Sequence, residues 1–440
     1  MKRKNIFLIL WLLLLLALTG CSGATIDKLY SLPKRTDAYH DLQVVIDGAM
    51  GGLAYSAPLS GENQQVVQMV DLDGDGQQEY LLYAKGGSEL SLKILIFQKT
   101  PEGFIHADTI AHNGTGFAQV EYVQMDNIAG TEIVVGYQLS EQLPRTVSVY
   151  TFARGKAEQL VSANYTKFLT SDVDGDGRTE LFLIRPGQTG ADNGVAELYG
   201  MENGVMERSN ESTISAPVDK LKRIIVGKLQ DADTGVYVAS AVDESSLVTD
   251  VFTCLDGKLT NVVQANDSGT NVQTLRNYYV YADDIDDDGI VELPALITML
   301  PVNDSPTTDR HDLIRWYTMS SAGKQTSKRY TYHSFVEGWY MELDSAWATR
   351  LSVQRSGSSY EFYIWDKAGV EAEKIFTLYS QATQSRDDQS RSEGQFALLK
   401  TDVMQYTALL EEAAAKYGIT QENLIRNFHL IQQDWKTGEI

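Results

Sequence analysis

Three stretches of this chain share one nine-residue pattern, D-x-D-x-D-G-x-x-E: Asp71-Leu-Asp-Gly-Asp-Gly-Gln-Gln-Glu79, Asp172-Val-Asp-Gly-Asp-Gly-Arg-Thr-Glu180 and Asp284-Ile-Asp-Asp-Asp-Gly-Ile-Val-Glu292. Their starts are 101 and 112 residues apart, and degenerate copies lie between them, at Asp126 to Glu132 and at Gln230 to Gly235. The glycines of the five loops, Gly76, Gly130, Gly177, Gly235 and Gly289, are spaced by 54, 47, 58 and 54 residues. Self-similarity at such a period marks a repeat architecture and limits the folds the chain can adopt.

Each unit reads as short strands. After the first acidic loop come Tyr80-Leu-Leu-Tyr83, Leu92-Lys-Ile-Leu-Ile-Phe97, a turn at Pro101-Glu-Gly103 and Phe104-Ile-His-Ala107. Apolar runs of strand length bounded by glycine turns signal an all-β fold. Runs such as Ile94-Leu-Ile-Phe97 and Val147-Ser-Val-Tyr-Thr-Phe152 are apolar on both strand faces. They need cover on both sides, which neighbouring blades of a propeller supply. The expected fold is mainly β: a β-propeller of five blades over residues 41–330, then a small α+β module over 331–440. The alternative is a sixth blade at 338–380 with a helical tail, because the turn at Gly369 lies 46 residues after Gly323. Two C-terminal helices are expected, one from about Asp402 to Tyr417 with Gly418 as its stop, one from about Gln421 to Trp435 capped by Thr420.

The acidic loop carries chemistry. Carboxylates at positions 1, 3 and 5 converge when the chain curls, and glycine at position 6 permits the turn. Position 7 offers a backbone carbonyl, and a later acid closes the shell, which meets the oxygen-ligand demand of Ca2+. The candidate ligands are Asp71, Asp73, Asp75, Gln77 and Glu79; Asp172, Asp174, Asp176, Arg178 and Glu180; Asp284, Asp286, Asp288, Ile290 and Glu292. Up to three structural Ca2+ ions are expected. Clustering these charges without a cation is costly, and Mg2+ prefers fewer carboxylates and retained water. In the degenerate copies, Asp126 and Glu132 alone cannot complete a shell.

The loop, the strand after it and the fifty-residue period resemble the FG-GAP or VCBS-type repeats of integrin-α-like β-propellers, over about residues 60–330. The Phe-Gly and Gly-Ala-Pro signatures are absent, so the VCBS-like version is the nearer match. Leu29-Tyr-Ser-Leu-Pro33 and Ala57-Pro-Leu-Ser-Gly-Glu-Asn63 are similar to segments of uncharacterised surface lipoproteins of Gram-positive bacteria. The resemblance implies a surface protein and lends no reaction.

The beginning of the chain agrees. Lys2, Arg3 and Lys4 precede the apolar run Ile6 to Leu16, and Leu18-Thr19-Gly20-Cys21 follows. This is a signal-peptide pattern, too short for a comfortable membrane span. The last four residues resemble a lipobox, which implies cleavage after residue 20, a diacylglycerol on Cys21 and a tether over 21–40. Two acyl chains hold stably where one holds marginally. Losing residues 1–20 takes the net charge from −22 to −25. So acidic a chain has no means of neutralising nucleic-acid phosphates and needs its lipid to stay at an anionic membrane. Cys254 would then be the lone cysteine, so no disulfide forms, and its apolar neighbourhood suits a small hydrophobe.

Catalytic signals are weak. The six histidines are scattered. Ser321-Ala-Gly-Lys324 and Lys436-Thr-Gly438 match two of three β-lactamase-type fragments, but the serine lies in a glycine turn and no S-D-N occurs. The expected function is non-enzymatic: a lipid-anchored extracytoplasmic binding or scaffold protein whose ligand is a protein, peptide or glycan. The alternative is an extracytoplasmic enzyme acting on polysaccharide, whose paired carboxylates the sequence cannot locate. Trp316, Trp339, Trp347 and Trp365 are candidate glycan contacts, or else core aromatics.

Overall fold

The computed structural model describes residues 37–87, 91–140, 144–188, 193–264, 273–278, 280–302, 311–367, 369–383 and 393–431. The expected signal peptide, Cys21, most of the tether, Lys436 and Trp435 lie outside them. No helix within them is long and apolar enough to cross a membrane.

Among the described residues strands dominate, arranged in six antiparallel sheets that succeed one another along the chain. The first contains Ala54–Tyr55, Val67–Val70, Glu79–Lys85, Leu92–Thr100 and Gly103–His112. The second runs Gly116–Val123, Glu132–Gln138, Arg145–Ala153, Lys156–Tyr165, and the third Lys167–Ser171, Glu180–Arg185, Val195–Glu202, Val205–Thr213. The fourth is Leu221–Lys228, Thr234–Ala241, Leu247–Leu255 and Lys258–Asn261. The fifth holds Leu293–Thr298, Asp312–Met319, Gln325–Ser334, Trp339–Leu343 and, from the end of the chain, Phe428–Leu430. The sixth holds Leu351–Ser356, Ser359–Trp365, Ala372–Ala382, Phe396–Lys400 and Met404–Leu410.

The doubly apolar strands do what their pattern requires. Along Glu180–Arg185, Leu181 and Leu183 pack toward the second sheet while Phe182 and Ile184 pack toward the fourth. Thr234–Ala241 is buried at every position. Five cores therefore sit between consecutive sheets, from Tyr83 against Phe117 between the first two to Tyr332 against Phe362 between the last two. Each fully apolar strand has two faces to bury and two neighbours to bury them against.

The two ends of the series are treated differently. The free face of the first sheet, Leu82, Ala84, Leu95 and Phe97, is covered by Leu42 and Ile46 of a helix, Asp37–Met50. The opposite side of that helix, at Asp41, Val44 and Asp47, is exposed. On the sixth sheet, Ser359–Trp365 alternates buried and half-exposed residues, the pattern of a strand covered on one face. Among the described residues, no core cluster combines side chains of the first and sixth sheets.

The C-terminal region departs from expectation. The helix expected over Asp402 to Tyr417 is instead the strand Met404–Leu410 followed by a short 3-10 turn, Glu412–Tyr417. Tertiary pairing overrides the helix-forming composition: Met404–Leu410 lies between Ala372–Ala382 and Phe396–Lys400, with Tyr406 and Ala408 buried. The second expected helix exists only as Gln421–Asn427. Thr420 does cap it, its hydroxyl accepting from the Asn423 N–H while the Asn423 side chain returns a bond. It ends where Phe428–Leu430 joins the fifth sheet. The boundary drawn at 330 falls inside Gln325–Ser334, a strand of that sheet. Three of the tryptophans are core aromatics and not glycan contacts: Trp316 and Trp339 are fully buried and Trp347 is 7% exposed, while Trp365 is half-buried.

Candidate metal centres

In the first sheet the recurrent loop joins Val67–Val70 to Glu79–Lys85, and in the second, third and fourth sheets it joins the first strand to the second; in the fifth it lies between the bridged residues Asp283 and Glu292. In the sixth, Leu351–Ser356 and Ser359–Trp365 meet through Gly357 and Ser358 instead. Several of these loops bond directly to a loop or strand end of the preceding sheet. Thr131 donates its N–H to the Leu72 carbonyl at 3.1 Å, Thr179 to Gln124 at 2.9 Å, and Val291 to Lys228 at 3.0 Å. Glycine permits the first contact, since a Cβ on Gly130 would lie 2.5 Å from the Leu72 oxygen.

Within each complete loop the first acid accepts from two backbone N–H groups of the turn. Asp71 accepts from the N–H groups of Gly74 and Gly76 at 2.8 and 3.0 Å. Asp172 accepts from Gly175 and Gly177, and Asp284 from Asp288 and Gly289. The closing glutamate reaches back to position 2: Glu79 to Leu72 N–H at 2.8 Å, Glu180 to Val173 at 2.8 Å, Glu292 to Ile285 at 3.1 Å. Position 9, where an EF-hand would place its acid three residues later, suits this tighter return into a strand.

Three acids of each loop converge. Asp71, Asp73 and Glu79, then Asp172, Asp174 and Glu180, then Asp284, Asp286 and Glu292, each offer an oxygen within 4.8 Å of the other two. The position-5 acids are engaged elsewhere. Asp75 accepts from the Gln77 N–H at 2.7 Å, Asp176 pairs with the Arg178 guanidinium, and Asp288 pairs with Lys328 at 2.7 Å. The Gln77, Arg178 and Ile290 N–H groups all bond to the position-5 acid, so position 7 is held beside the cluster. Of the degenerate loops, the one at 126 keeps the return bond from Glu132 to Met125 N–H at 2.9 Å, without a triad. In the other, Asp231 is bonded to Ser321, through the hydroxyl at 2.7 Å and the N–H. That bond assigns Ser321 a turn-anchoring role.

The closing glutamates differ in what meets their second oxygen, and the difference comes from the strand paired next to the one each glutamate opens. In the first sheet Gln98 donates to Glu79 Oε1 at 3.3 Å and to Asp73 at 3.1 Å. In the second, the matching position is Thr151, one step past the pair Ile133–Tyr150. In the third, the matching position is Gly200, one step past the pair Leu181–Tyr199, and no hydrogen bond reaches Glu180 Oε1 among the described residues. In the fifth, Thr318 turns to the Thr326 carbonyl, and Glu292 Oε1 is buried without a hydrogen-bond partner among the described residues. Burial, aided by the neighbouring acids, pushes the Glu180 and Glu292 carboxyls up to about 7. Burial also raises Glu79, against the Leu72 and Gln98 bonds.

These residues fit an oxygen-preferring cation. Each triad is a hard-donor set with concentrated negative charge, and in the fifth sheet one buried carboxylate oxygen lacks a hydrogen-bond partner among the described residues. A divalent cation would satisfy that oxygen and relieve the repulsion. Sequence reasoning found the triads but missed Gln98, Gly200, Thr318 and Lys328. These lie outside the motif and are brought to it only by strand register.

A cavity of about 230 Å3 opens beside the loop of the third sheet, lined by Asp174, Glu180, Gly200, Arg208 and Cys254 among others. Cys254 is half-buried, and burial pushes its thiol up to about 11, so it is not a thiolate at neutral pH.

No protein-family model matches this chain, and no curated protein matches it. Among solved structures it is similar to a protein from Lactobacillus plantarum, at 10% identity and TM-score 0.28, over 72% of this chain and 85% of the other. It is also similar to a 6-phosphogluconolactonase-like protein from Bacteroides uniformis, at 10% identity and TM-score 0.30, over 73% and 93%. TolB from Acinetobacter baumannii gives 9% identity and TM-score 0.25, over 76% and 68%. Scores this low carry no argument about this chain.

Proposed function

We propose that this chain is an exported, lipid-anchored binding scaffold whose propeller-type sheets are stiffened by Ca2+ at three loops. The observation that carries the reading is the triad repeated at Glu79, Glu180 and Glu292, each at a loop that also bonds to a neighbouring loop or sheet. A cation there ties strands within a sheet and steadies the contact between sheets. The six sheets act as six blades in series, with the helix Asp37–Met50 on the face that a closing blade would otherwise take. The pattern of Lys2 to Cys21 supports export and diacyl anchoring at the extracytoplasmic side of the membrane. Asp71, Asp73 and Glu79 would hold the first ion, Asp172, Asp174 and Glu180 the second, and Asp284, Asp286 and Glu292 the third.

Metabolic labelling with a fatty acid tests the anchor. The parent should incorporate label and stay with the membrane, and Cys21→Ala should incorporate none and be either uncleaved or shed. Equal labelling and retention of the variant would overturn this part of the reading. A direct calcium count tests the remainder, with the parent expected to retain three ions that chelation removes.

A further inference from the structure

We propose that the second acidic loop and the cavity beside Gly200 together form a calcium-dependent site for a neutral sugar unit bearing vicinal hydroxyls. The proposal rests on the calcium reading above and adds that one of the three ions faces a ligand.

Three features of the third sheet set it apart. The first is the gap at Gly200. Where the first sheet carries Gln98 across from Glu79, the third carries a hydrogen atom across from Glu180. The cavity of about 230 Å3 opens there, with room for one sugar ring. The second is the Glu180 carboxylate. It is 4% exposed; its Oε2 accepts from Val173 and Asp174, while Oε1 takes no hydrogen bond among the described residues and belongs to a cavity-lining side chain. The third is shared lining. Asp174 and Glu180 belong both to the triad and to the cavity wall, so an ion held by the triad borders open space. In the first sheet the Gln98 amide takes this place, and in the fifth sheet Lys328 lies against Asp288 and within 4.0 Å of Asp286.

The walls choose the ligand. Ca2+ accepts six to eight oxygens, more than a triad provides, and paired hydroxyls of a sugar are suitable neutral donors. Glu202 and Glu207 also line the cavity, so with Asp174 and Glu180 the acids outnumber the arginines, Arg178 and Arg208. Arg178 is already paired with Asp176 and Arg208 with Glu197. An anionic ligand is therefore opposed, whereas hydroxyl groups can donate to the free acids. Leu198 and Met201 supply apolar wall for the C–H face of a ring.

The test is calorimetric titration of the calcium-loaded mature chain with methyl α-mannoside, methyl β-galactoside and, as the anionic control, glucuronate. Saturable binding of a neutral hexoside is expected, lost on chelation, with glucuronate weaker. Gly200→Gln rebuilds the first-sheet arrangement. Its Cβ would meet Glu180 Cγ at 3.5 Å, an ordinary contact, so the variant should fold and keep its calcium while hexoside binding weakens about tenfold or more. Asp174→Asn should weaken calcium and sugar together. Hexoside binding unaffected by Gly200→Gln, or absent from a chain shown to hold calcium, overturns this proposal and leaves the structural calcium reading standing. A chain that takes up no calcium overturns both.

Discussion

The Gln98 side-chain amide donates to Glu79 Oε1 across 3.3 Å, giving the first acidic loop an internal neutral partner that the third sheet lacks at Gly200. In the absence of metal that bond, with the one to Asp73, offsets part of the cost of burying Glu79. Removing it should make the first loop more dependent on a cation. Gln98→Ala is expected to lose roughly 1–2 kcal/mol in chelator and less in excess calcium. Urea denaturation in both conditions measures the difference, and equal losses would remove Gln98 from the account.

The contact between loops makes a separate prediction. Gly130 has φ +130° and its α-carbon faces the Leu72 carbonyl, so Gly130→Ala meets both strain and collision. A loss of about 2–3 kcal/mol is expected in denaturation. Gly177, at φ +86° with open space around it, carries only the backbone cost, and Gly177→Ala should lose about 1 kcal/mol.

The helix Asp37–Met50 covers the face of the first sheet that carries Leu82, Ala84, Leu95 and Phe97. Ile46 is buried against that face, and Ile46→Ala should cost about 2–4 kcal/mol. Hydrogen exchange should then rise first in Glu79–Lys85 and Leu92–Thr100, not in the fourth or fifth sheet. A uniform rise across all sheets would mean the helix holds the entire series rather than one end.

His333, buried in the fifth sheet, is pushed down to about 3 by burial, with its Nε2 2.9 Å from the Thr331 hydroxyl. Its unfolded value is near 6.5. A depressed histidine pKa means that the unfolded chain takes the proton first. Stability is therefore undiminished above about 6.5 and falls below it, by up to about 1.4 kcal/mol per pH unit, until about 3. Because the raised Glu180 and Glu292 carboxyls act in the opposite sense over this range, the slope is read as the difference between parent and His333→Gln in thermal melts between pH 7 and 5, with the parent losing more stability as pH falls. Identical slopes would exclude His333 as the cause.

What the sequence made legible follows from where the information sits. The loops are contiguous, so their acids, turn glycines and period could be read directly, as could the doubly buried strands around Leu181 to Ile184. The Asp37–Met50 helix was missed, although Leu42, Val45, Ile46 and Ala49 lie at helical spacing. The segment Met404–Leu410 read as helix because its strand character comes from partners on both sides, Ala372–Ala382 and Phe396–Lys400. Gln98 and Gly200 could not be matched to Glu79 and Glu180 without the register of the sheets, which a single sequence does not state.

The central claim is that the three acid triads hold structural calcium, and a melting temperature read with and without metal tests it most directly. Extracellular modules often bind at about 0.1–1 mM, so about 1 mM free calcium contributes about 0.4–1.4 kcal/mol per site. Three sites should move the melting temperature by a few degrees. The account predicts that chelation lowers it, that calcium restores it better than magnesium, that Asp174→Ala removes about one third of the effect, and that Asp126→Ala removes almost none. A melting curve indifferent to chelator, from protein in which elemental analysis finds no calcium, would contradict it and leave the loops as acidic turns.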